Sequence, residues 1–205
     1  IVMRLVGSEM CIRDRNHAEA IDYLHDVVAN KRPITEGLIK EFNALLLSGV
    51  KHTEAINAQG QRVKKKAHPG EYKRQPNHVV QADGSLHWYV EPLQVPAQMG
   101  VLVNWLADNI EQHHPIIVAA LVHYNLVRIH GFDDGNGRSA RIIMNLILMK
   151  QGLFPAVIRT EKKRLYLEAL KQADSGDINP FIQFVASELI QTQEKVIADL
   201  ESKPQ

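Results

Sequence analysis

The stretch His130-Gly131-Phe132-Asp133-Asp134-Gly135-Asn136-Gly137-Arg138-Ser139-Ala140-Arg141 lies between two strongly helical segments and constrains this chain more than any other feature. It brings together a proton acceptor, a pair of carboxylates, two flexible glycines and two guanidinium groups. That is the equipment for holding a polyphosphate and its metal ion.

The chemistry follows residue by residue. Asn136 and Arg138 each follow a glycine at an expected helix start, where unpaired backbone N–H groups and the positive end of the dipole favour an anion. Gly135 and Gly137 allow positive φ and close approach of the backbone, so that successive N–H groups can curl into an anion-binding nest. Arg138 and Arg141, three apart on the following helix, sit near one face and can each grip phosphate oxygens bidentately. Asp134 is the candidate Mg²⁺ ligand, because Mg²⁺ commonly takes one or two carboxylates and fills its shell with phosphates and water. His130, with an ordinary pKa of about 6.5, can take a proton from an incoming hydroxyl at neutral pH.

Other readings of the run fail on spacing. Asp-Gly-Asn-Gly alone is an ordinary turn, but a turn does not need the histidine and both arginines in register. No D-x-[DN]-x-[DN]-G pattern exists for a calcium loop, and no Gly-Lys-[Ser/Thr] follows for a Walker loop. His123 and His130 are two helical turns apart, about 10 Å, too far to share a metal directly.

Composition fits one enzyme-sized domain. The chain has 205 residues, 45% hydrophobic and 23% charged, enough to bury one substantial core. A net charge of +1 gives no global basic field and no argument for nucleic acid. Lys64-Lys65-Lys66, beside Arg62, His68, Lys73 and Arg74, is a local basic cluster that reads as a solvated loop. Charges interrupt every apolar run before eighteen residues, so no membrane-spanning segment is expected. Residues 1–15 resemble the translation of a sequencing-library transposon adapter and are expected to be a non-native artefact, leaving residues 16–205 as the domain. The lone cysteine, Cys11, falls in that stretch, so no disulfide is available, which fits a reducing, cytoplasmic setting.

Periodicity predicts a mostly helical chain. Asn16 is expected to cap a helix through about Val28, with Ala20, Ile21, Leu24 and Val28 on its buried face. Thr35 caps the next, whose stripe is Leu38, Ile39, Phe42, Leu45 and Leu46 and which Gly49 ends. Helical periodicity then disappears from Val50 to Pro92. Within that span Asn77 to Val80, Asp83-Gly84 and Leu86 to Val90 read as one β-hairpin. Further helices are expected at about 94–112, at 115–129 with Pro115 at the first position, and from the motif to Gly152. Thr160 is expected to cap one through about Ala173, and Asn179-Pro180 to open the last, to about Ser202.

The segment 130–141 resembles the signature H-P-F-x-[DE]-G-N-G-R-x-x-R of the Fic (Fido) family, departing only at Gly131, where the family usually has proline. Residues 119–129 and 142–149 are similar to the helices that flank the family's loop. Pro69-Gly70-Glu71-Tyr72-Lys73-Arg74 is similar to the entry of its β-hairpin flap, and Arg159 to Tyr166 and Gly176 to Phe181 to its last motifs. The resemblance implies an all-α fold of about seven helices with a flap at about 70–90. It implies a protein adenylyltransferase, which moves AMP from ATP to a Ser, Thr or Tyr hydroxyl, and which in some members also removes AMP.

Carried onto this chain, the resemblance makes His130 the base and Asp134 the Mg²⁺ ligand. Gly135, Asn136, Gly137 and Arg138 cradle the phosphates, while Arg138 and Arg141 neutralise the leaving group. It makes Phe132 the anchor of the loop, places Tyr166 and Asp174 at an adenine pocket, and registers the target's backbone against Val79 and Val80. Lysine at Gly137 would mark the family's kinases, so glycine there implies nucleotidyl transfer. Glycine at 131 implies a looser loop and a slower enzyme. Many members carry an inhibitory helix, [ST]-x-x-x-E-[GN]. Glu36-Gly37 does not supply it, because Arg32 stands where Ser or Thr is needed. The implied partners are a target protein along the flap and, for control, a homodimer mate or a separate inhibitory protein. Two other classes stay open: a metal-dependent phosphohydrolase using His130, Asp133 and Asp134, and a catalytically silent interaction module.

Overall fold

The computed structural model describes residues 2–56, 61–80 and 86–202. Seven α-helices account for most of them. They are α1 (Val2–Ala29), α2 (Glu36–Leu46), α3 (Val95–Asn109), α4 (Pro115–Ile129), α5 (Asn136–Lys150), α6 (Lys163–Asp174) and α7 (Asn179–Glu201). Four short strands, β1 (His52–Ile56), β2 (Arg62–Lys66), β3 (His78–Val80) and β4 (Leu86–Trp88), form two separate antiparallel pairs.

Helices α4 and α5 pair at the centre, with α1 and α2 against α5, α3 and α7 against α4, and α6 against α7. The sequence explains why α5 is innermost. Its residues Ile142, Ile143, Met144, Leu146, Ile147 and Leu148 are all buried, leaving no continuous polar stripe over those turns. Each such aliphatic side chain contributes on the order of 1.5–3 kcal/mol when taken from water. Ala119, Ala120 and Ala140 are fully buried, and their small side chains let α4 and α5 approach closely.

Several local expectations hold. Thr35 caps α2 by accepting from the Leu38 N–H at 3.1 Å. Leu38, Ile39, Phe42 and Leu46 are buried, and Gly49 beyond the helix end takes φ 72°. Pro115 opens α4 and Asn179-Pro180 opens α7.

Others are corrected. Asn16 starts no helix: α1 runs through it, and its buried side-chain amide donates to the carbonyls of Leu46, the last residue of α2, and of Ser48 just past it. Ile21 is 41% exposed, while Val27, not among the residues expected on that face, is fully buried. Thr160 opens a 3-10 turn (Thr160–Lys162) rather than capping α6. A second hairpin stands where a solvated loop was read: Lys64, Lys65 and Lys66 lie on β2, opposite Glu54, Thr53 and His52 of β1. The expected hairpin is the β3–β4 pair, with Val79 opposite His87 and Val80 opposite Leu86. Its Asp83-Gly84 turn lies outside the described residues.

Candidate active site

The motif loop begins where α4 stops. His130 takes left-handed dihedrals, φ 49° and ψ 53°, while its N–H still reaches the Leu126 carbonyl. For a residue other than glycine that conformation costs about 1–2 kcal/mol, the kind of strain that accumulates at working sites. The next residues are held by pairing with the flap entry. The Lys73 N–H donates to the Gly131 carbonyl at 2.8 Å, and Tyr72 and Phe132 form an isolated antiparallel bridge. Phe132 is buried with its ring 5.5 Å from that of Tyr72, the anchoring position expected of it.

Asn136 closes the loop on itself. Its carbonyl oxygen accepts from the Phe132 N–H at 2.9 Å and its amide donates to the Phe132 carbonyl at 2.8 Å. The side chain is thereby committed to shaping the loop. Gly135 takes φ 81°, whereas Gly137 lies within the first turn of α5 and has no positive φ, so of the two only Gly135 uses the freedom that glycine allows. At Gly131 an added Cβ would stand 3.2 Å from Val95 Cγ1, so any larger residue there needs Val95 to yield.

One cleft of about 270 Å³ is lined by His130, Asp133, Asp134, Gly135, Asn136, Gly137, Arg138 and Arg141. The structure therefore gathers the motif side chains around one space. His130 Nδ1 lies 3.3 Å from the Val127 carbonyl; because a carbonyl only accepts, Nδ1 carries the proton and Nε2 keeps its lone pair. Burial holds the imidazole down at about 4, with Lys73 and His87 adding to the depression, so it is neutral across the physiological range. Asp134 accepts from the Gly135 N–H and lies 3.4 Å from Arg138, while Arg13 of α1 approaches it at 3.9 Å. Asp133 turns the other way, to His68 Nδ1 at 3.1 Å.

A second cleft, of about 750 Å³, is lined by Tyr89, Tyr124, Arg164, Tyr166 and Asp174 among others. Two interactions join it to the first. Tyr89 stacks on His130 at 3.8 Å between ring centroids, and the Tyr166 hydroxyl, which burial pushes up to about 12, is pulled down by the Arg141 charge. Asp174 accepts from the Tyr124 hydroxyl at 3.1 Å. His123 is elsewhere: it is fully buried against Tyr166 and Phe181, with neither ring nitrogen hydrogen-bonded among the described residues. Burial holds it at about 3, a neutral core histidine.

Sequence reasoning missed Asn43, His68, Lys73 and Tyr89. Only Asn43 left a signal, as a polar residue beside Phe42 on the apolar stripe of α2. Fully buried, it donates to the Asp134 carbonyl at 2.9 Å and accepts from the Gly70 N–H at 3.0 Å, tying helix, loop and flap entry together. Asn43→Ala should therefore strand two backbone groups and cost about 2–4 kcal/mol. Chemical denaturation would show it, and a loss below about 0.5 kcal/mol would mean the amide bridges nothing.

The Fic/DOC family model matches residues 33–148, more than half of the chain. This chain belongs to that family. A protein adenylyltransferase Fic of Nematostella vectensis is 47% identical over 126 residues, 61% of this chain and 29% of that protein. One of Drosophila erecta is 43% identical over 96 residues, 44% of this chain and 19% of that protein. The chain thus spans less than a third of these curated relatives. Among solved structures, a Fic-domain-containing signaling protein from Bacteroides thetaiotaomicron is 32% identical, with a TM-score of 0.76 over 88% of this chain and 68% of that one.

Proposed function

We propose that this chain is a protein adenylyltransferase, transferring AMP from ATP to a Ser, Thr or Tyr hydroxyl of another protein. The observation that carries the reading is the shared cleft, where a neutral histidine with a free Nε2 faces the N-terminus of α5, Arg138 and Arg141. Relatives named protein adenylyltransferase Fic support it. In the proposed reaction His130 Nε2 takes the proton of the target hydroxyl as its oxygen bonds to the α-phosphorus. The bond from that phosphorus to the bridging oxygen breaks, and pyrophosphate leaves with its charge met by Arg138 and Arg141. Such catalysis is positioning and electrostatics.

The second cleft would take the adenosine, with Tyr166 and Asp174 in its wall. Tyr89 must then shift from His130 as the α-phosphate enters. The target would lie along β3, pairing its backbone with that of Val79 and Val80. No helix among the described residues is long and apolar enough to cross a membrane.

Magnesium fits as a guest of the nucleotide. Among the described residues no three His, Cys, Asp or Glu converge to hold a metal. Of the two carboxylates lining the phosphate cleft Asp133 is held by His68, so Asp134 would be the donor to the ion, and ATP would complete the shell. Bound there, the ion would offset phosphate charge.

Transfer of label from the α-phosphate of ATP onto protein, including self-modification, tests the reading. Free phosphate without labelling would instead favour hydrolysis. Asp134→Ala should weaken Mg²⁺-dependent ATP binding about tenfold or more, the loss of one charged ligand. Asp133→Ala should change it by less than about threefold, because its carboxylate is turned to His68 at 3.1 Å rather than to Arg138. Equal losses would point to a two-carboxylate metal site.

A further inference from the structure

The β1–β2 hairpin and the flap entry carry charge that the reaction does not use. Residues 62–74 hold six lysines and arginines against one glutamate, in a chain whose formal net charge is only +1. The fold gives part of this charge a shape. Lys65, Lys66, His68, Arg74, Gln75 and Asp133 line a cleft of about 250 Å³. Lys73 of the same run is buried elsewhere, its ammonium on Asn77 and 5.9 Å over the Tyr89 ring, so the exposed ammonium groups here come from β2.

Two features connect this basic cleft to the chemistry. Asp133 is a wall of both the basic cleft and the phosphate cleft, so the two adjoin. Arg74 and Gln75 lead directly into Asn77 and β3, the strand along which a target backbone would lie. An extended chain paired with β3 therefore passes the basic cleft within a few residues of the reacting hydroxyl. Asp133 itself is engaged by His68, and Arg74 by Glu71 at 2.7 Å on the exposed surface, which leaves Lys65 and Lys66 without a carboxylate partner among the described residues.

We propose that this cleft selects targets: it binds a short acidic segment, of aspartate or glutamate side chains, flanking the hydroxyl that is modified. The inference rests on the adenylyltransferase reading. Lysine ammonium groups attract carboxylates over several ångströms and steer association more than they fix geometry, so the preference is for acidic composition near the acceptor and weakens with salt.

The probe is a pair of fluorescent peptides with one tyrosine acceptor flanked by four glutamates or by four glutamines. Anisotropy measures binding, and α-phosphate label measures transfer. The glutamate peptide should bind at least about tenfold more tightly at low salt, converging on the glutamine peptide near 0.5 M salt as screening shortens to a few ångströms. Lys65→Glu/Lys66→Glu/Arg74→Glu should abolish that difference, whereas Lys163→Glu/Lys195→Glu, charge reversals elsewhere on the surface, should retain it. Equal binding of the two peptides, equal loss in both variants, or tighter binding of a single-stranded oligonucleotide would overturn the proposal. Wild-type self-labelling keeps the two readings apart. Self-labelling without acidic preference sinks the docking cleft alone, while acidic preference in binding without label on any protein sinks the transferase.

Discussion

His130→Ala should reduce AMP transfer by at least about 10²-fold while ATP still binds, because general-base catalysis contributes on that order and no other residue in the cleft can replace it. Lys73 also acts on the imidazole, but burial lowers it only to about 8, which leaves it mostly charged at neutral pH. The pH profile gives an independent reading of the same assignment. With His130 held at about 4, the base remains free as pH falls from 8 to 5, so the wild-type rate should not halve near 6.5, where an ordinary histidine titrates. The activity is lost only on protonation, below that range. A mutant retaining a third of wild-type labelling, with ATP affinity intact, would remove His130 from the role of base.

The helices were legible because their signals are local. Pro115 with the apolar run after it, and Thr35 before the stripe of α2, each state where a helix begins and which face it buries, and the structure agrees at both. Asn16 misled for a physical reason. A helix-favouring cap residue can also serve as an interior residue whose amide finds a partner in another element, and the carbonyls at the end of α2 supplied one. The β1–β2 hairpin was hidden by composition. Its second strand reads Arg-Val-Lys-Lys-Lys, where charge masks alternation, and only cross-strand pairing with Glu54 and its neighbours organises it.

The motif told which groups meet at the site but not how they are held. Asn136 stands in the sequence as part of the phosphate-cradling loop, and nothing along the chain says that its side chain clamps the Phe132 backbone. Asp133 and Asp134 look like a pair, and the loop turns them to different partners, His68 and Arg138. Tyr89 could not be found at all, since nothing along the chain reports that a residue after β4 will stack on a histidine more than forty positions away. Contacts of this kind depend on how the flap folds over the bundle.

Gly135→Ala and Gly137→Ala should part company, although both glycines sit in the same motif. At Gly135 the backbone is at φ 81°, and a Cβ would stand 2.9 Å from Asn43 Nδ2. That amide cannot step aside, because it is pinned between the Asp134 carbonyl and the Gly70 N–H. Left-handed strain of about 1–2 kcal/mol and the displaced amide together should cost about 2–4 kcal/mol. That loss lowers Tm by about 5–12 °C for a domain of this size. Transfer should fall by about 10²-fold, as expected when a catalytic loop is moved by an ångström. At Gly137 the backbone is helical and the added carbon meets only Arg141 Nη1, at an ordinary 3.5 Å. Alanine there removes glycine's helix penalty of about 1 kcal/mol, so the melting temperature should hold or rise. Thermal melts of the two variants decide it. If Gly137→Ala melts as low as Gly135→Ala, the nest needs both glycines bent, and the α5 start assigned to Asn136 is wrong.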